Sequence, residues 1–147
     1  MAAIADVQQR FSAGWESFFR TTRRLRARAG RFPGELTLPQ YHLLEALRED
    51  SELPVGELAD RAGVAPPTAT RMLDCLARDG FVERRHSESD RRSVLVRLTD
   101  RGEAAVANAH DVIEAWRREV FERLQPEERE PAARLLARLA EVLEEEL

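Results

Sequence analysis

The pair Pro66-Pro67, followed by Gly80, constrains this chain more than any other feature. Two consecutive prolines lack two backbone donors and fix φ near the helical value, so they fit only a first helical turn. Gly80 supplies the left-handed residue on which helices commonly stop. Between them Ala69, Met72, Leu73 and Leu76 recur at steps of three and four, the spacing of one buried face. A helix is therefore predicted that opens with Pro66-Pro67 in its first turn and ends at Gly80. Its opposite face carries Pro67, Thr70, Arg71, Asp74 and Arg78, with Thr68 and Cys75 at the edge.

The neighbours of this helix extend the pattern. Val55–Arg61 reads as a short helix stopped by Gly63, so a helix, a Gly-containing turn and a second helix follow one another. Behind them, Phe81–Arg85 and Ser93–Leu98 read as strands, the second alternating Val94, Val96 and Leu98. The tip between them is Ser87-Glu88-Ser89-Asp90, running on into Arg91-Arg92. A plain hairpin would turn on Asn-Gly or Asp-Gly. This one ends in charge.

Longer helices flank the module. Ile4, Val7, Phe11, Trp15, Phe18 and Leu25 keep helical spacing over about 4–29, ending in an Arg-rich turn before Gly30. Thr37 and Gln40 form a capping box for a helix to about Glu49. Val106, Ile113, Trp116, Val120 and Leu124 mark a helix over about 100–124. The last helix, with Leu135, Leu139, Val142 and Leu143 as its apolar face, is expected to become regular only near Pro131, because a residue before proline disfavours helix. The fold class expected is mainly α with a small β-hairpin wing, a winged helix-turn-helix with long terminal helices. One domain spans 1–147, its winged module about 37–99.

Charge is unevenly placed. The net charge is -4, yet residues 1–36 carry seven arginines against three acids and residues 61–101 nine against six. The basic windows alternate with acidic ones at 37–60 and 102–147, which points to a local electropositive surface rather than a basic protein. Every basic residue is Arg, a planar fork suited to phosphates and base edges.

Several function classes are disfavoured. His42, His86 and His110 have no ligand-like spacing, there is no Gly-rich phosphate loop, and no nucleophile sits beside a base. No catalytic residue, metal or cofactor is expected. The single Cys75 excludes an internal disulfide. Met1–Arg10 shows no signal-peptide pattern and no apolar run reaches membrane-spanning length, so a cytoplasmic protein without a membrane partner is expected.

Double-stranded DNA is the partner that these features suit. Arg71 can take a guanine edge or a phosphate, while Thr68 and Thr70 can touch phosphate or a thymine methyl. The start of the helix is expected to offer free N–H groups to phosphate. At the wing, Arg84 and Arg85 leave one strand, and Arg91 or Arg92 can enter a narrow minor groove with Asp90 holding it by a charge-assisted bond. Pro67 and Arg78 complete the candidate DNA-binding set. The competing reading of the same residues is a solvated helix and turn, or a winged-helix module for protein contacts.

The segments Gly63–Arg71, Leu76–Arg84 ("LARDGFVER"), Asp90-Arg91-Arg92-Ser93 and Leu98–Gly102 ("LTDRG") resemble the MarR family of bacterial transcriptional regulators. The resemblance covers nearly the whole chain. It implies a homodimeric, ligand-responsive repressor that binds a near-palindromic operator, with dimerisation helices at about 4–29 and 100–146. It puts the family's wing pair on Asp90 and Arg92, leaving open which of Arg91 and Arg92 is inserted. The candidate interface residues are Ile4, Val7, Phe11, Trp116, Val120, Leu135, Leu139 and Val142. A small, aromatic or phenolic effector is implied, with Trp15, Phe18, Phe19, Tyr41 and His42 as candidate liners. Two positions depart from the pattern. Ala65 stands where Ser is common, removing a helix cap worth about 1 kcal/mol in a typical host. Cys75 is not at a position associated with redox-sensing members, although a thiol-based regulator acting through it is the alternative.

Overall fold

The computed structural model describes residues 2–28, 30, 32, 36–90 and 92–147. The chain divides into two compact units, residues 1–110 and 111–147. Arg91 lies outside the described residues.

The first unit opens with α1 (Ala2–Arg28) and α2 (Leu38–Leu44), the latter running on as a 3-10 turn at Glu45–Arg48. The capping box is formed as expected: the Thr37 N–H donates to Gln40 Oε1 at 2.9 Å, and the Gln40 N–H to Thr37 Oγ1 at 3.4 Å. β1 (Leu53–Pro54), α3 (Val55–Arg61), α4 (Pro66–Arg78), β2 (Val82–His86) and β3 (Val94–Leu98) follow, and then α5 (Asp100–Arg123), which runs on into the second unit. The three strands form an antiparallel sheet in the order β1-β3-β2, with Arg84 opposite Val96 and Leu53 opposite Val96 on the other side. The strand β1 was missed in the sequence. It is two residues long, and its partner lies some forty positions away. Pro54 is tolerated there because β1 is an edge.

The core of this unit is aliphatic, with Leu43, Leu44, Leu58, Leu73, Leu76, Val96 and Val106 fully buried. No charged or polar side chain is buried among the described residues. On α4 the predicted stripe is buried at Ala69, Leu73 and Leu76, while Met72 is half-buried. Tyr41 is also buried, and its hydroxyl lies 3.0 Å from His110 Nδ1. Arg48 Nη1 is 2.7 Å from the same nitrogen. A guanidinium only donates, so Nδ1 is the acceptor in that contact.

The turn chemistry follows the glycines. Gly63 has φ +62° and Gly80 φ +80°, and the Phe81 N–H closes the end of α4 on the Leu76 carbonyl at 2.9 Å. The start of α4 differs from expectation. Ala65 caps it without a side-chain bond, as predicted, but no N–H of the first turn, Pro66 to Thr68, is left over. Pro66 and Pro67 have none, and the Thr68 N–H donates to the Ala65 carbonyl at 2.9 Å. The prolines have removed the donors that a cap, or a phosphate, would satisfy.

In the second unit α6 (Pro126–Glu144) begins at Pro126, not near Pro131. Pro126 takes the first helical position, and Gln125 and Glu128 form a capping box in which the Gln125 N–H donates to Glu128 Oε2 at 2.8 Å. That start outweighs the lost donor at Pro131, which sits inside the helix. Arg129 stacks on Phe121 at 5.0 Å and donates to the Glu122 carbonyl at 3.2 Å. α6 buries none of its residues in the single chain.

One close approach ties the first unit together. A Cβ added at Gly102 would lie 1.9 Å from the Phe81 carbonyl oxygen. Gly102→Ala should therefore destabilise by at least the roughly 1–3 kcal/mol of overpacking. Gly14→Ala, with nothing within 4 Å of the new methyl, should stabilise by about 0.5–1 kcal/mol in helix α1. Urea denaturation of both variants checks the contrast. By the same measurement Ala65→Ser should gain less than about 0.5 kcal/mol, since its usual acceptor role has no free donor to serve.

Candidate nucleic-acid interface

α3, the Gly63 turn and α4 place one exposed helix face outward from the first unit. Pro67, Thr68, Thr70, Arg71, Asp74 and Arg78 are all exposed. The Thr70 hydroxyl is turned back, donating to the Pro66 carbonyl at 3.0 Å. No described residue bonds the side chains of Thr68, Arg71 or Arg78. Cys75 is free and exposed on the same helix.

The wing is built from its base upward. At the base the Thr99 N–H donates to the Phe81 carbonyl at 3.1 Å, and Thr99 Oγ1 donates to the Gly80 carbonyl at 2.6 Å. The Gly102 N–H in turn donates to Thr99 Oγ1 at 3.0 Å, so one threonine caps α5 and closes the hairpin. Arg101 lies over the Phe81 ring at 4.5 Å and donates to the Asp79 carbonyl at 2.7 Å. Along the strands Glu83 and Arg97 face each other and pair at 2.6 Å.

At the tip, the Asp90 carboxylate accepts from the Arg92 main-chain N–H at 2.9 Å. Asp90 was expected to grip a guanidinium. Among the described residues it instead holds the backbone that carries one, the habit of an Asx turn. The Ser87 N–H donates to the Ser93 carbonyl and the Ser93 N–H to the Asp90 carbonyl, both at 2.9 Å, which closes the loop. The Arg92 guanidinium has no partner among the described residues, and its side chain lines a groove of about 500 Å³ with Pro54, Thr70, Arg84 and Ser93.

Arg84 and Arg85, like Arg97, are engaged. Arg84 reaches α4, where it pairs with Asp74 at 2.5 Å and donates to the Thr70 carbonyl at 3.2 Å. Arg85 grips Glu52, with Nε donating to Oε2 at 2.8 Å and Nη2 to Oε1. Neither Asp74 nor Glu52 was foreseen as a partner. Asp74 was legible as part of the outer face, but the ten-residue step to Arg84 is visible only once β2 packs beside α4.

The hydrogen bond from Arg85 holds the Glu52 carboxyl below its ordinary range and raises the Arg85 pKa in return. A depressed carboxyl pKa contributes stability above its unfolded value, and that contribution is lost as pH falls through the folded one. Both side chains meet water, so screening keeps the effect small. In Arg85→Gln the Glu52 carboxyl should titrate at a higher pH than in the wild type, read by carbon-detected NMR.

The candidate effector liners are not brought into one enclosed site. Trp15 and Phe19 stack on α1 with centroids 4.7 Å apart and line an open concavity of about 440 Å³ with Glu16, Arg20 and Arg23. Phe18 is exposed beside Phe19. Tyr41 belongs to the core, and His42 lies 3.5 Å from Glu45. The candidate interface residues Ile4, Val7, Phe11, Trp116, Val120, Leu135 and Val142 are exposed in the single chain, and Leu139 is half-buried. No cluster of metal-ligating side chains occurs among the described residues, and none of their helices is long and apolar enough to cross a membrane.

A helix-turn-helix followed by a charged hairpin packed against its second helix defines a winged helix-turn-helix protein. The family model described as the MarR family matches residues 36–94. The HTH-type transcriptional regulator YfiV of Bacillus subtilis, itself uncharacterized, is 33% identical over 110 residues, 75% of this chain and 69% of that protein. The crystal structure of a mutant MarR from E. coli complexed with operator DNA is similar at a TM-score of 0.62 and 30% identity, over 71% of this chain and 75% of that one. BpsR of Bordetella bronchiseptica, a structure concerned with regulation of its DNA binding by 6-hydroxynicotinic acid, matches at a TM-score of 0.72 and 25% identity, over 87% of this chain and 98% of that one. The chain belongs to the MarR family, and it is a DNA-binding transcriptional regulator.

Proposed function

We propose that this protein is a cytoplasmic, homodimeric repressor that reads a near-palindromic operator and releases it when a small aromatic effector binds. The observation that carries the DNA-reading part is the Arg92 guanidinium, left without a partner on a tip whose backbone Asp90 fixes. In this reading Arg92 enters the minor groove, where a narrow groove concentrates negative potential. The outward face of α4 meets the major groove, with Arg71 toward base edges and Thr68, Pro67 and Arg78 toward the sugar-phosphate backbone.

Dimerisation is supported by large apolar side chains that a monomer leaves in water. Phe11, Trp116 and Leu135 are each about half exposed, at 50%, 49% and 56%, and exposed apolar area of this kind marks an interaction face. The effector part is supported by BpsR, whose DNA binding is regulated by an aromatic acid. The concavity on α1 suits such a molecule, with Trp15 and Phe19 for a ring and Arg20 and Arg23 for a carboxylate.

Selection of genomic fragments by the purified protein tests the reading. Footprints should show dyad symmetry with half-sites about one helical turn apart, bound at roughly 10⁻⁸–10⁻¹¹ M at physiological salt. Arg92→Glu should lower operator affinity by about tenfold or more. A footprint without a dyad would remove the symmetric dimer, and unchanged affinity in Arg92→Glu would remove the minor-groove role.

A further inference from the structure

Arg84 sits on the wing, yet its guanidinium is bonded to α4. It makes two bonds there, one to the Asp74 carboxylate at 2.5 Å and one to the Thr70 carbonyl at 3.2 Å. The acceptors come from residues four apart, and a helical carbonyl points toward the residue four ahead, so one guanidinium reaches both. The Arg84 side chain is 28% exposed and that of Asp74 49%. Asp74 is the acid on the face of α4 that also carries Arg71 and Arg78. A carboxylate on a face presented to DNA repels phosphate unless a cation covers it.

We propose that Arg84 is a positioning residue, not a DNA contact: it covers the Asp74 charge and fixes the wing against α4. The spacing between the helix in the major groove and Arg92 at the tip is then set in the protein before DNA arrives. The inference rests on the reading that α4 and the wing tip both face DNA. Its consequence is discrimination. A fixed spacing helps where the groove geometry matches, so its loss falls on the operator more than on random DNA.

The alternative for the same residue is a phosphate contact, and the two give opposite results. Affinities for the selected operator and for a random duplex are measured across salt for wild type, Arg84→Gln and Asp74→Asn/Arg84→Gln. A positioning residue predicts that Arg84→Gln loses about tenfold more affinity for the operator than for random DNA. It also predicts that the double variant, which no longer holds a bare carboxylate but still lacks the tie, keeps that operator-specific loss while its salt slope returns to the wild-type value. A phosphate contact predicts equal loss on both DNAs, and a salt slope smaller by about 0.9 that persists in the double variant. That second pattern would overturn the proposal. The double variant keeps the proposal testable if Arg84→Gln alone folds poorly, because it removes both charges together. Arg92→Glu in the same series separates the two levels: if it leaves operator binding intact, the minor-groove reading fails, whereas the Arg84 results judge the positioning role.

Discussion

The close approach of Gly102 to the Phe81 carbonyl is the contact on which the interface depends. No side chain larger than hydrogen fits there. The approach brings Thr99 within reach of the Gly80 carbonyl, and the same threonine caps α5. One point thus joins the end of α4, both feet of the wing and the start of α5. If it opened, the hairpin would lose its base and α4 would lose its fixed relation to the wing. The rest of the reading head builds outward from this joint. The Arg84 fork ties β2 to α4 halfway up, and the Asp90 turn holds the tip.

The economy of charge on the wing follows from geometry. Four arginines are described there, and they have separate tasks: Arg97 pairs with Glu83 across the two strands. Arg85 grips Glu52, just before β1, and Arg84 grips α4. Of the four, only Arg92 projects a guanidinium without a partner among the described residues. Composition cannot distinguish these roles, because a free and a paired arginine are the same letter. The distinction depends on which element packs beside which strand.

Legibility in the sequence was uneven for the same reason. The limits of α4 were readable because Pro66-Pro67 and Gly80 act locally, and the capping box at Thr37 and Gln40 was readable because both halves lie within one turn. The two-residue β1 was not, since its strand character comes from pairing with Val96 and Leu95 far along the chain. Pro131 misled because its local penalty was weighed without the stronger start at Gln125, Pro126 and Glu128. At the site, the exposed face of α4 and the charged tip were visible as patterns. The bond from Asp90 to a main-chain N–H and the burial of Tyr41 were not, because each depends on the three-dimensional course of the backbone.

In the proposed arrangement α4 and the wing are one rigid reading head held by Arg84 and the Phe81–Gly102 joint. The crystal structure of the protein on a selected operator fragment tests it most directly. The account predicts Arg84 still bonded to Asp74 and the Thr70 carbonyl, with Arg92 alone of the two in the minor groove. An Arg84 guanidinium lying on a DNA phosphate with the Asp74 pair broken would contradict it.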